Sequence, residues 1–227
     1  RDLRLSVIEA CNFRCSYCLP AGYRAVPGRP AALEIDEIAR LLRAFASVGM
    51  RKLRITGGEP SLRKDLTEII TTAASIPGIE KIGLTTNGCL LDRRVEAWRA
   101  AGLTHLNVSV DALERERFAR ITGHDRLDET LAGIDRALAL DYASVKLNAV
   151  LLRDLNDDQL PAWFGYLRER PLALRFIELM RTGDNPDYFA RHHLRAEALE
   201  QSLLDGGWRL MPRADDAGPA REYAHPG

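Results

Sequence analysis

The segment CNFRCSYC puts three thiols, Cys11, Cys15 and Cys18, into one short stretch directly after an apolar run. A tetrahedral zinc site or a cubane iron–sulfur cluster takes four ligands, so one position must be filled from elsewhere. Two fillers are chemically open. A structural zinc could recruit Cys89 or a histidine, whereas a cubane cluster could leave one iron free for an amino-acid-like molecule that chelates through its amine and carboxylate. Cys89 stands alone in TTNGCLL and reads as a small buried residue rather than a ligand. Crowding of the other three argues for metal ligation in a reducing compartment, not for disulfides.

A second chemical signal is RITGGEPSLRKDL, with Gly57, Gly58, Glu59 and Pro60 in succession. Glycines at a strand end let the backbone approach a ligand closely, and a carboxylate beside them can accept a hydrogen bond from an ammonium. Glycine pairs also mark ordinary turns, so the weight comes from its pairing with the cysteine segment.

These groups need a scaffold, and the sequence supplies a rhythm of strands and helices. LRLSVI, KLRIT, EKIGLTT, HLNVSVD, SVKLNAVLL and LALRFIELM read as strands; the stretches between them carry helical periodicity. Such alternation implies βαβ units and a parallel sheet. Gly49, Gly102 and Gly123 fall where helices or turns should end. Alternate residues of a strand share a face. On that basis Arg4 and Ser6, Lys52, Arg54 and Thr56, Lys81, Gly83 and Thr85, His105, Asn107, Ser109 and Asp111, and Lys146 and Asn148 form one polar side, opposite Leu, Ile and Val. A closed barrel fills its interior with aliphatics; a polar inner side predicts an incomplete (β/α)6 barrel of TIM type lining a wet cavity. Arg4, Arg54 and Lys146 on that side suit a polyanion, because guanidinium and ammonium groups both pair with phosphate oxygens. LALRFIELM has no clean parity. The expected division is a barrel core over residues 1–180 and a C-terminal helix with an irregular extension over 181–227.

Composition narrows the partners. The 227 residues carry 32 Lys and Arg against 32 Asp and Glu, a net charge of zero, so there is no global field for nucleic acid or an anionic membrane. No apolar run approaches the roughly 20 residues of a membrane span, and no signal segment opens the chain; a cytoplasmic location is the expectation.

The C-x3-C-x2-C spacing, with an aromatic before the last Cys, is similar to the signature of the radical S-adenosylmethionine (SAM) enzymes. RDLRLSVIEACNFRCSYCLP, KLRITGGEPSLRKDL, LTTNGCLL, NVSVDALERERFARITG, VKLNAVLL and LRFIELM together resemble the GTP 3′,8-cyclases of molybdenum cofactor biosynthesis. The resemblance implies a [4Fe–4S] cluster on Cys11, Cys15 and Cys18, SAM contacts from Tyr17, Gly58, Glu59, Ser109 and Met180, and GTP contacts from Arg4, Arg54, Thr85 and Lys146. It implies abstraction of the C3′ hydrogen of GTP, closure onto C8, and formation of 3′,8-cyclo-7,8-dihydro-GTP. No side chain is needed as a general base in the first step. An electron donor such as flavodoxin or ferredoxin is implied, and the oligomeric state, a homodimer included, is left open. Relatives also carry a second C-terminal [4Fe–4S] cluster whose ligands have no counterpart here, and the chain opens on Arg1 without Met, so a fragment of a longer enzyme is expected. The alternatives are another radical SAM reaction, a SAM-binding fragment without GTP turnover, and a noncatalytic zinc module.

Overall fold

A computed structural model describes residues 2–28, 30–212 and 220–226. The first strand β1 (Asp2–Ser6) leads through the cysteine segment to α1 (Ile35–Ser47), and four further strand–helix pairs follow. These are β2 (Lys52–Thr56) and α2 (Leu66–Ala74), β3 (Lys81–Thr86) and α3 (Leu91–Ala100), β4 (His105–Ser109) with both α4 (Arg115–Thr122) and α5 (Leu127–Leu138), and β5 (Ser144–Leu151) with α6 (Leu160–Arg168). The last strand of the sheet is β6 (Ala173–Glu178). Every strand pairs in parallel with its successor, in the order β1-β2-β3-β4-β5-β6. That sequential order is the incomplete (β/α)6 barrel expected from the sequence, with β1 and β6 at its open edges.

The strand alternation builds the core. Leu5, Leu53, Ile55, Ile82, Leu84, Leu106, Val108, Val145 and Leu147 are buried on the convex side, where they join Ile38 and Leu42 of α1, Ile69 and Ile70 of α2, Trp98 of α3 and Ile134 of α5. Each such side chain contributes about 1.5–3 kcal/mol when withdrawn from water. The polar residues of the same strands face the concave side, where Arg54, Thr85, Ser109, Lys146 and Asn148 are half-buried and Arg4 is exposed. Parallel register aligns them. Arg4 lies beside Arg54, Thr85 beside Asn107, Asn107 beside Lys146, and Asn148 beside Arg175.

Local signals fix the helix ends. The amide of Glu34 donates to the Glu37 carboxylate at 2.8 Å and opens α1, and Gly49, at φ 90°, lets the chain turn away. Three features depart from the sequence reading. Helix α4 is additional, its apolar residues Phe118 and Ile121 giving too few repeats of the helical period to stand out. The single C-terminal helix is two, α7 (Pro186–His192) and α8 (Ala196–Asp205). The tail, expected to be irregular, contributes β8 (Tyr223–Ala224), antiparallel to β7 (Arg209–Leu210) and held by a hydrogen bond from the Tyr223 hydroxyl to Glu200. The rest of that expectation, residues 213–219 and 227, lies outside the described residues.

Candidate active site

The cysteine loop leaves the C-terminal end of β1 and is anchored at four places. Phe13 is 3% exposed and packs edge-on against Phe118 at 6.2 Å and flat on His124 at 5.3 Å. The amides of Arg14 and Ser16 each donate at 2.9 Å to the carbonyls of Thr122 and Ile121, satisfying the last turn of α4, whose carbonyls have no partner within the helix. Tyr17 donates its hydroxyl to Asp111 Oδ2 at 2.8 Å. Ser16 Oγ lies 2.8 Å from the Tyr188 hydroxyl of α7, so the extension beyond β6 reaches the same loop.

These anchors gather the three thiols. Cys11 and Cys15 are half-buried and Cys18 is exposed, yet Cys18 is close enough to both to add to the rise in their pKa, as Cys11 adds to that of Cys15. Burial is the larger cause: it pushes the Cys15 thiol up to about 12, with help from the Asp111 charge, and raises Cys11 and Cys18 as well. All three are therefore neutral thiols near pH 7 until a metal takes their protons. Among the described residues no three His, Cys, Asp or Glu side chains converge tightly enough for one metal ion. Cubane ligands bind separate irons and stand further apart than ligands of a single ion, and a soft, all-thiol set fits a cluster with an open iron. Cys89 is half-buried and packs against the core, its amide donating to Asn87 Oδ1 at 3.0 Å.

The glycine pair is explained by contact with the chain itself. Gly58 N donates to the Ile8 carbonyl at 2.7 Å and Glu59 N to that of Ala10 at 2.8 Å. A Cβ on Gly57 would sit 2.4 Å from the Ile8 oxygen, and one on Gly58 2.3 Å from that of Glu9. Only glycine allows this approach, which presses the second loop onto the residues leading into Cys11. Glu59 is 1% exposed and burial raises its pKa; both of its oxygens accept hydrogen bonds from the protein.

Below these loops the concave face is cationic. Arg54 has its pKa lowered by burial, then by Arg175 and Arg4; Lys146 by burial, then by Arg175, with Glu222 opposing. His105 is pushed down by burial and by Lys81, Arg54, Lys146 and Lys52, so its imidazole is neutral at pH 7. Arg175 is the member that sequence reading missed. Its place beside Asn148 is the cross-strand signal, obscured in LALRFIELM because Glu178 turns to His193 at 2.7 Å. Ser109 sits at the end of β4, opposite Asn148, and Met180, 74% exposed, lies just past β6. One hollow, about 660 Å³, is lined by Glu114, Arg117 and Asp154 among others and lies away from this face; a second, about 530 Å³, adjoins the cysteine loop along residues Ser6 to Ala10. The chemistry follows the residue geometry rather than hollow size.

The family model of the Radical SAM superfamily matches residues 5–167. A GTP 3′,8-cyclase of Stenotrophomonas maltophilia (strain K279a) is 66% identical over 224 residues, which is 99% of this chain and 68% of that protein. This chain belongs to the GTP 3′,8-cyclase family of radical SAM enzymes. A Vibrio cholerae GTP 3′,8-cyclase is 51% identical over 99% of the chain and 67% of its own length. The barrel of this cyclase-family chain is shared by Streptococcus suis SuiB bound to S-adenosylmethionine, with TM-score 0.75, 17% identity, and coverage of 90% of this chain and 47% of that one. It is shared as well by anSMEcpe with bound AdoMet, with TM-score 0.69, 16% identity, and coverage of 91% and 59%. Membership of the superfamily implies SAM and a [4Fe–4S] cluster. No helix among the described residues is long and apolar enough to cross a membrane.

Proposed function

We propose that this chain converts GTP to 3′,8-cyclo-7,8-dihydro-GTP, the first step of molybdenum cofactor biosynthesis. The observation that carries the reading is the group Arg4, Arg54, Lys146 and Arg175 on the concave face, directly beneath loops that carry three thiols and a glycine pair. Cys11, Cys15 and Cys18 are the cluster ligands. When bound, the cluster and SAM supply the 5′-deoxyadenosyl radical that removes the C3′ hydrogen of the ribose.

The protein's part is to bind, orient and exclude water. Gly58 has its amide bonded to Ile8, so its carbonyl is what it offers the SAM ammonium, with Glu59 behind it. Tyr17, Ser109 and Met180 line the remainder of the SAM site. Arg4, Arg54, Lys146 and Arg175 take the triphosphate, and Thr85 contacts the same nucleotide. The division into a barrel core over residues 1–180 and an extension over 181–227 comes from the strand–helix rhythm of the sequence; a flavodoxin or ferredoxin as electron donor, a homodimer, and a second cluster, whose ligands this sequence does not contain, rest on the family alone.

The test is a pair of anaerobic titrations, GTP and SAM, on the reconstituted enzyme and its Lys146→Ala and Arg54→Ala variants. Loss of a charge-assisted phosphate contact costs about 1.5–3 kcal/mol, so GTP should bind roughly tenfold to a hundredfold more weakly while SAM is unaffected. Unchanged GTP binding would remove the triphosphate from this face.

A further inference from the structure

The loops after β1, β2 and β3 are joined by a chain of hydrogen bonds. Glu59 Oε1 accepts from Ser61 N at 2.9 Å and from Thr86 Oγ1 at 2.7 Å, and Oε2 accepts from Asn87 N at 2.6 Å. Thr86 Oγ1 also accepts from Gly88 N at 3.1 Å. The backbone of Asn87 is thereby clamped from the glycine loop. Its side chain is held at both ends: Oδ1 accepts from Cys89 N at 3.0 Å, and Nδ2 donates to Asn12 Oδ1 at 2.9 Å. Because the Cys89 amide can only donate, the amide of Asn87 has one orientation, with its NH2 toward the cysteine loop. Nδ2 thus reaches the residue next to Cys11, whose pKa the Asn87 side chain works to lower.

We propose that Asn87 is a positioning residue for the iron–sulfur cluster, donating a hydrogen bond to the Cys11 sulfur while Glu59 and Thr86 hold its backbone and Asn12 its amide. This rests on the reading of Cys11 as a cluster ligand. Hydrogen bonds to ligating sulfurs stabilise the more negative, reduced cluster and raise its potential, and outer partners of a ligand govern metal retention. Asn87 therefore couples the glycine loop to the electronics of the cluster.

The experiment compares reconstituted wild type, Asn87→Asp, Asn87→Ala and Asn12→Ala by anaerobic redox titration and by the rate of iron loss to a chelator. Asn87→Asp keeps the size and the acceptor toward Cys89 but exchanges the donor for negative charge. It should lower the midpoint potential and speed iron loss by about tenfold or more. Asn87→Ala should shift the potential the same way by less. Asn12→Ala removes only the neighbouring acceptor and should leave the potential in place, so a merely structural role, which would disturb all three alike, is separated. A wild-type potential in Asn87→Asp overturns the proposal, as does an equal shift in Asn12→Ala. If Asn87→Ala does not fold, the Asp variant and Asn12→Ala still decide. Wild type that takes up no cluster overturns the ligand reading and the proposal with it; a loaded wild type with unshifted Asn87→Asp overturns the proposal alone.

Discussion

Asp111 ties the cysteine loop to the far side of the barrel. It is 2% exposed, accepting from Tyr17 at Oδ2 and from the Val150 amide at Oδ1, 2.9 Å away, while its carbonyl accepts from Asn156 Nδ2 at 2.6 Å. Burial raises its pKa from 3.8 to about 6, against the two hydrogen bonds that lower it. Between those values the folded chain holds a proton that the unfolded chain has released, so stability is lost as pH rises through the window. For a shift of this size the total is about 3 kcal/mol. Urea unfolding of the apo protein and of Asp111→Asn at pH 4 and pH 7 should show the wild type's advantage over the variant shrinking by roughly that amount. A constant difference would mean that Asp111 ionises as it does in water. Strand parity sets Asp111 on the polar side with Ser109 but cannot show that it turns to Tyr17, because the partner is distant in sequence.

At the scale of elements, α4 is the part whose role was least legible and whose consequence is large. Sequence periodicity recovers the six strands, the helices between them and the inward set Arg4, Arg54, Thr85 and Lys146, because alternation is a local property. It does not recover contacts that depend on how loops fold back: α4 as the seat of the cysteine loop, Asn87 beside Cys11, or Arg175 beside Asn148. The glycines show the same division. Gly123, at φ 74°, ends α4, and a Cβ there would stand 3.1 Å from that of Arg14 in the cysteine loop; Gly49, at φ 90°, has nothing within 4 Å. Alanine at either position forces the left-handed conformation, at about 1–2 kcal/mol, which thermal unfolding of the apo proteins will read. Only Gly123→Ala should also lower the iron bound on reconstitution, since only it pushes on the loop. Equal iron in the two variants would detach α4 from the site.

For the whole molecule, zero net charge conceals an uneven distribution. Burial first, and then the neighbouring cations Arg175 and Arg54 against Glu222, lower the pKa of Lys146, and a triphosphate relieves the repulsion among those cations. Salt competes for the same charges, because the screening length falls from about 10 Å at 0.1 M to 3 Å at 1 M. GTP affinity should therefore fall severalfold between low and high salt while SAM affinity changes less than about twofold, as parallel titrations will show; equal dependence would mean that the cations do not meet the nucleotide. The anchors of the cysteine loop have a last consequence, in time. Asn12 reaches Asn87 across 75 residues, Tyr17 reaches Asp111 across 94, and Ser16 reaches Tyr188 across 172. At about 5–20 residues per second, a ribosome needs roughly ten seconds or more after making the first cysteine before the last of these partners exists. The thiols are thus made well before the partners that enclose them, and cluster delivery has to wait for nearly the whole barrel while oxygen does not.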